Sequence, residues 1–348
     1  MENKDLRLKF MCKALFAELG YVTHYEIKLR NRSYITTYKV HDVSDIDVYG
    51  YRFNADLSFS TIGAECKSGE SSALDELYKF IGIRDMYHLS KAYLIKSRLH
   101  QNARQVALQK GVQCFTEVEL RKMLLGFGLN VDQIIAVESA KYRKRMKYME
   151  QYKARNEKLV EYIQLDFWNK ENWKNVHNII HILTSYGQQQ IIDTPTVMDK
   201  YIMYSITELF ALSCLRNASE AIVLNYSDFD SAFSTCLYGG AEALNEKRRI
   251  HDTVNIATQE DRSFEPHWQE ELVSLFSRAS ESTIAAAHVP LLIQELYENS
   301  FYSDKVKVDS SVLGRYPDLT RKFTQDIMAF VQKTCHISDQ VFADFIAL

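Results

Sequence analysis

Apolar and polar positions along this chain change period several times, and each change marks a new element. Residues 3–19 place Leu6, Phe10, Ala14 and Ala17 at helical spacing, with Leu8, Met11, Leu15 and Leu19 beside them and Gly20 as a stop. Residues 21–30 (YVTHYEIKLR) and 34–40 (YITTYKV) are rich in β-branched and aromatic side chains and predict strand. Residues 45–53 (DIDVYGYRF) and 57–67 (LSFSTIGAECK) predict two more strands, joined by a hairpin link at Asn54-Ala55-Asp56. Helical spacing returns over 72–88 through Leu74, Leu77, Phe80, Ile81 and Met86, with Ser72 and Asp75 as a variant of the capping box. A buried strand at 91–97, a helix ending at Gly111 and a strand at 112–115 follow. Thr116 and Glu119 then form a capping box that opens a further helix. The order α-β-β-β-α-β-α-β-α predicts a central mixed sheet flanked by helices, its helix-linked strands parallel.

Residues 132–163 lack Gly and Pro and read as one long helix, and beyond 161 the pattern is mostly helical. Connections are expected at 187–195, 216–230, 262–266 and 302–318. The predicted organisation is an α/β domain over 1–128, a basic connecting helix over 129–160 and an all-α domain over 161–348. The last would serve regulation, oligomerisation or partner binding, with a homo-oligomer or partner protein held through it.

Charge sharpens this division. The net charge of −3 conceals 27 Lys/Arg against 19 Asp/Glu in residues 1–160, and 15 against 26 in the remainder. A basic N-terminal half suits a polyanionic partner; an acidic C-terminal half does not, and the two halves attracting each other is the alternative. Residues 141–159 hold eight of the basic side chains. On a helix, Tyr142, Met146, Met149 and Tyr152 form an apolar stripe, while Lys144, Arg145 and Lys147 fall largely elsewhere. Either this helix meets nucleic-acid phosphates or it is a connector with solvated charges. Arg98, Gln101 and Arg104 follow the 91–97 strand, at the edge where ligands gather in such sheets, and are weaker nucleic-acid candidates.

Other chemistry is sparse. Six cysteines stand singly and read as reduced thiols. His177 and His181 are spaced i, i+4 but lack an evident third ligand, so they read as structural. Gly239-Gly240 lacks the spacing of a phosphate loop and reads as a turn. No uninterrupted apolar run approaches a membrane span, and the charged N-terminus lacks an apolar core segment, so no membrane partner and a cytoplasmic location are expected.

The remaining puzzle lies in residues 43–69, VSDIDVYGYRFNADLSFSTIGAECKSG, where charges interrupt two apolar strands. Period-two alternation puts Asp45 and Asp47 on one face and pairs Glu65 with Lys67. Clustered carboxylates repel unless one is protonated or a cation intervenes. A Mg²⁺ ion, which favours hard oxygen ligands and keeps several waters, resolves that conflict. Such an ion activates water and stabilises a phosphorus centre under attack, while a neighbouring lysine orients the water. A salt-bridged hairpin on a solvated sheet face is the alternative.

These residues, SDIDVYG followed by GAECKSG, resemble the PD-(D/E)XK nuclease superfamily, the restriction-endonuclease-like fold, across about residues 1–125. The resemblance implies a Mg²⁺- or Mn²⁺-dependent phosphodiesterase acting on DNA, endonucleolytic, and by fold-level analogy a bacterial defence or restriction role. It assigns Asp47, Glu65 and the Cys66 backbone carbonyl to the metal and Lys67 to the attacking water. Asp45 and Glu26 are auxiliary candidates. Many members carry a further acid on the first helix, where this chain has Lys9, so a second metal site is in doubt. RNA cleavage and a non-catalytic nucleic-acid or protein-binding platform are the competing readings.

Overall fold

A computed structural model of the chain describes residues 4–30, 42–69, 71–189, 195–300 and 310–346. The strand expected at 34–40 lies outside them. The chain divides into two compact units, Met1–Arg52 with Phe59–Asn169, and Phe53–Ser58 with Lys170–Leu348.

The first unit opens with α1 (Lys4–Glu18), closed by Gly20 at φ 77°, where a side chain would be strained. Then come β1 (Val22–Arg30), β2 (Asp42–Phe53) and β3 (Phe59–Lys67). α2 (Ala73–Met86) leads to β4 (Lys91–Lys96), and α3 (Gln101–Gln109) to β5 (Val112–Thr116). α4 (Glu117–Gly126) and α5 (Val131–Lys153) complete the layer. The five strands form one mixed sheet in the order β1-β2-β3-β4-β5. β1 and β2 are antiparallel. β2 and β3 are joined by residues 54–58, too short for a crossover, and so are antiparallel too. β3, β4 and β5 are parallel through α2 and α3, as the helix-linked order predicts.

Two apolar clusters cover the two faces. Phe10 and Leu15 of α1, Leu120 and Leu124 of α4 and Val131 and Ile135 of α5 pack with Tyr25, Val48, Ala64 and Cys66. Leu77 and Phe80 of α2 and Ala107 of α3 pack with Ile27, Leu29, Ile46 and Leu94. Residues two apart in a regular strand share a face. Tyr25 and Ile27 do not, nor do Ile46 and Val48. Both strands change face at one point, Glu26 opposite Asp47. There Glu26 takes φ 57°, a left-handed backbone rare for a side-chain-bearing residue inside a strand.

Helix ends follow local chemistry. Ser72 Oγ accepts from the Asp75 N–H at 3.4 Å. Thr116 Oγ1 accepts from the Glu119 N–H at 3.3 Å, and Glu119 Oε2 accepts from the Thr116 N–H at 2.7 Å, completing the capping box. Arg104 clamps the same carboxylate at 2.8 Å and, with the Thr116 bonds, pulls the Glu119 carboxyl down to about 2. Thr116→Ala removes the cap, and an expected loss of about 0.5–2 kcal/mol is read from its urea midpoint against wild type.

α5 differs from the expected connector. It belongs to the first unit and packs on α1, with Lys13 Nζ 3.0 Å from Glu138 Oε2 and the Tyr25 hydroxyl donating to that oxygen at 2.8 Å. Its buried stripe holds Tyr148, Met149 and Tyr152, while Met146 is 43% exposed. The long helix also breaks: α5 stops at Lys153, and Asn156 caps a new start at α6 (Glu157–Glu161) by accepting from the Leu159 N–H. A single π turn (Tyr162–Asp166) and α7 (Phe167–Asn169) finish the unit. The boundary therefore falls after Asn169.

The second unit is helical, from α8 (Asn172–Gln189) through α9 (Val197–Asn225), α10 (Phe229–Cys236), α11 (Ala241–Thr258), α12 (Gln269–Glu281), α13 (Thr283–Ala287) and α14 (Val289–Ser300). α15 (Ser310–Leu313), α16 (Asp318–Cys335) and α17 (Ala343–Ile346) follow. α9 is buried on every face from Met198 to Leu215 and runs to Asn225, through part of the 216–230 stretch expected as a connection. Its buried Glu208 accepts from the Tyr297 hydroxyl at 2.8 Å. Gly239 and Gly240 form the expected turn at φ 89° and 104°. His177 is spent on the Leu237 carbonyl, with 2.9 Å between Nε2 and O, while His181 is exposed, so the pair shares no ligand. Among the described residues no helix is long and apolar enough to cross a membrane.

Candidate active site

The break in the β1–β2 ladder brings charges from four elements together in the first unit. Asp47 lies 2% exposed on β2. Its Oδ2 accepts from the Cys66 backbone N–H at 2.8 Å, so a side chain fills a position that a ladder carbonyl would hold. That bond fixes Asp47 against β3. Period two then sends Glu65 and Lys67 away from the buried Cys66. Lys67 Nζ sits 2.8 Å from Glu65 Oε1 and 3.5 Å from Asp47 Oδ2, a single cation between two carboxylates.

The other edge of Asp47 is closed from α1. Lys9 Nζ is 2.8 Å from Asp47 Oδ1 and 2.7 Å from Glu26 Oε1. Glu26 reaches it from the left-handed position on β1, and its second oxygen accepts from the Tyr142 hydroxyl of α5 at 2.8 Å. Asp5, one helical turn before Lys9, accepts from the Ser68 N–H at 2.5 Å and ties α1 to the end of β3.

The electrostatics follow the geometry. Burial, helped by the Asp47 charge and opposed by Lys67, pushes the Glu65 carboxyl up to about 7. Burial works against the charge on Lys9, but Asp47 and Glu26 outweigh it and raise its pKa. Burial likewise opposes the Lys67 charge, and Glu65 and Asp47 overcome it. Burial would raise Glu26, but its hydrogen bond and charge pairing with Lys9 bring it below the usual range. Burial and the Glu26 charge push Tyr142 up to about 12.

Of the residues singled out in the sequence, Asp47, Glu65 and Lys67 come together. Asp45 does not share Asp47's burial: it is exposed and acts on Glu65 and Lys67 through charge. Glu26 joins the cluster as the partner of Lys9 and Tyr142. Arg104 is engaged with Glu119 and with the Cys114 carbonyl at 3.3 Å, so it holds the α4 cap and is not offered to a ligand. Arg98, Gln101 and Lys147 are exposed. Arg145 lies close enough to Glu26 to help lower its pKa, and Lys144 lies over the Tyr148 ring at 5.5 Å.

The sequence reading places Lys9 only where an acid is expected, without its carboxylate partners, and gives Lys96 no role. Lys96 is buried beside Lys67 in the β3–β4 register and donates to the Ser71 carbonyl and hydroxyl, both at 3.0 Å. A signal for Lys9 was present: Lys9 and Lys13 stand i, i+4 within the apolar run LRLKFMCKALF, a place where a lysine must find a carboxylate.

Among the described residues no three His, Cys, Asp or Glu side chains gather as a metal-binding group. The oxygen donors brought together are the Asp47 and Glu65 carboxylates; with the Cys66 carbonyl that the resemblance assigns, they would be hard oxygens that suit a Mg²⁺ ion keeping most of its waters. A carboxyl driven toward neutrality by burial and a like charge is one that a divalent cation would relieve. The donor set fits the group. No protein-family model, curated protein or solved structure matches the chain.

Proposed function

We propose that the first unit is a metal-dependent nuclease domain of the restriction-endonuclease-like kind, hydrolysing phosphodiester bonds of DNA. The observation that carries this reading is the convergence of Asp47, Glu65 and Lys67 from two adjacent strands, with Lys67 Nζ within 3.5 Å of both carboxylates. The element order and the mixed sheet support it. Asp47, Glu65 and the Cys66 carbonyl would hold Mg²⁺ or Mn²⁺, which supplies Lewis-acid charge stabilisation and a more acidic water. Lys67, about a third exposed, would orient the attacking water and offset negative charge on the phosphate. The Cys66 N–H and Lys9 fix the Asp47 carboxylate, so its orientation does not depend on substrate. Exposed Arg143 and Lys147 on α5, with Arg98 and Gln101 after β4, supply cationic and polar surface for a polyanion.

The test is the purified full chain with plasmid, linear duplex, single-stranded DNA and RNA, each with EDTA, Mg²⁺ or Mn²⁺. Cleavage of DNA with either metal and none in EDTA is the expected result. Cleavage of RNA alone would change the substrate. Binding without cleavage under every metal would favour a non-catalytic platform, a reading that Lys9's hold on Asp47 Oδ1 supports.

A pH dependence follows from Glu65. Its folded carboxyl lies at about 7 against an ordinary 4.5, so the folded protein holds that proton more tightly between those values. Stability of the metal-free protein is full below the lower value and falls as pH rises through the window. A divalent ion must displace the proton, so its binding tightens as pH rises and levels off above about 7, with a slope approaching about tenfold per pH unit below. Calorimetric Mn²⁺ titrations between acid and mildly alkaline pH measure this, and Glu65→Gln should flatten the slope.

A further inference from the structure

We propose that the Lys9 ammonium is a built-in cation standing where a second divalent ion would sit, so that this site binds a single metal ion. The inference rests on the nuclease reading and specifies its metal requirement.

Two-metal phosphodiesterases hold their ions about 3.5–4 Å apart, which requires a carboxylate offering an oxygen to each. Asp47 is the carboxylate placed for that task, flanked on one side by Glu65 and on the other by Glu26. Its two edges are not equivalent. The edge toward Glu65 is bridged by Lys67, whose side chain is about a third exposed and free to give way. The edge toward Glu26 is bridged by Lys9, whose side chain is 11% exposed and carried on a helix packed into the core. Lys9 Nζ lies 2.7–2.8 Å from both carboxylates, the reach of a charge-assisted hydrogen bond.

The supporting shell holds Lys9 in place. Glu26 points at it only because its backbone is left-handed at φ 57°, a conformation that persists where the surroundings enforce it. Tyr142 then occupies the remaining Glu26 oxygen at 2.8 Å. The Lys9 ammonium is thus held by Asp47 and by a strained Glu26, which a tyrosine from a further element fixes in turn. Displacing it would leave a buried cation unpaired, which is far costlier than moving Lys67. A fixed monovalent charge at that edge would neutralise Asp47 without consuming a second ion from solution.

Ion stoichiometry tests this on the full chain, by Mn²⁺ electron paramagnetic resonance and calorimetry and independently of cleavage. The wild type should take up about one Mn²⁺, and Lys9→Met, which frees Asp47 Oδ1 and Glu26, about two. Glu26→Gln, which keeps the shape and the Lys9 contact, should stay at one ion and remain informative if Lys9→Met does not fold. Two ions on the wild type, one ion on a folded Lys9→Met, or loss of the ion in Glu26→Gln would each overturn the role of Lys9 while leaving a metal-dependent nuclease standing. No ion on the wild type, with Asp47→Asn indistinguishable from it, would remove the nuclease reading itself and this inference with it.

Discussion

Under the proposed function, Lys67→Met is expected to lower phosphodiester cleavage by about 10²–10³-fold, the usual worth of one preorganised charge-stabilising donor. The loss should appear in kcat, since methionine keeps the aliphatic stem and removes only the ammonium beside Glu65 and Asp47. Stability should barely change, by about 0–1 kcal/mol, because the ammonium is partly solvated and such pairs contribute little. Single-turnover cleavage of labelled duplex, alongside a urea titration of each protein, separates the two quantities. A Lys67→Met protein that folds and cuts at the wild-type rate would mean that hydrolysis, if present, uses other residues.

Asp47→Ala should behave oppositely in stability. Asp47 is nearly inaccessible, and three groups depend on it: the Lys9 ammonium, the Cys66 N–H and the Lys67 ammonium. Removing one partner of a buried pair strands the other, at a cost of about 3–5 kcal/mol. The unpaired Cys66 N–H adds to this by about 1–3 kcal/mol if water does not enter. The urea midpoint should fall with little change in slope, and cleavage should vanish. Asp47→Asn keeps an acceptor for the Cys66 N–H and should recover part of the stability and none of the activity. A shift below about 1 kcal/mol for Asp47→Ala would place the carboxylate at a solvated surface, as the salt-bridged hairpin alternative requires.

The two halves of this site were unequally legible in the sequence. Asp47, Glu65 and Lys67 could be found because spacing within two adjacent strands carries their geometry. Thr116 and Glu119 could be found because a capping box is local. Lys9, Glu26 and Tyr142 meet across separations of up to 116 residues, and no short-range pattern encodes that meeting. The alternation rule also breaks down beside Asp47: residues two apart there, Ile46 and Val48 on one strand and Tyr25 and Ile27 on the other, pack on opposite faces around the left-handed Glu26. For α5, the apolar stripe announced a packed face but not its partner, so the helix read as a connector when α1 and β1 receive it. Cys12 and Cys66, single in sequence, are neighbours in space.

The switch of faces at Glu26 and Asp47 also determines what the site senses. Residues flanking Asp47 are embedded on both sides of the sheet, Val48 in one apolar layer and Ile46 in the other. A void opened at Leu15 or at Leu77 would therefore reach the strand beside the same carboxylate, from opposite faces. Displacements near 1 Å at a reacting group cost about 10²-fold in rate. Under the proposed nuclease function, lesions remote from this carboxylate would lower turnover while the domain still folds, making cleavage a more sensitive gauge of its interior than any melting curve.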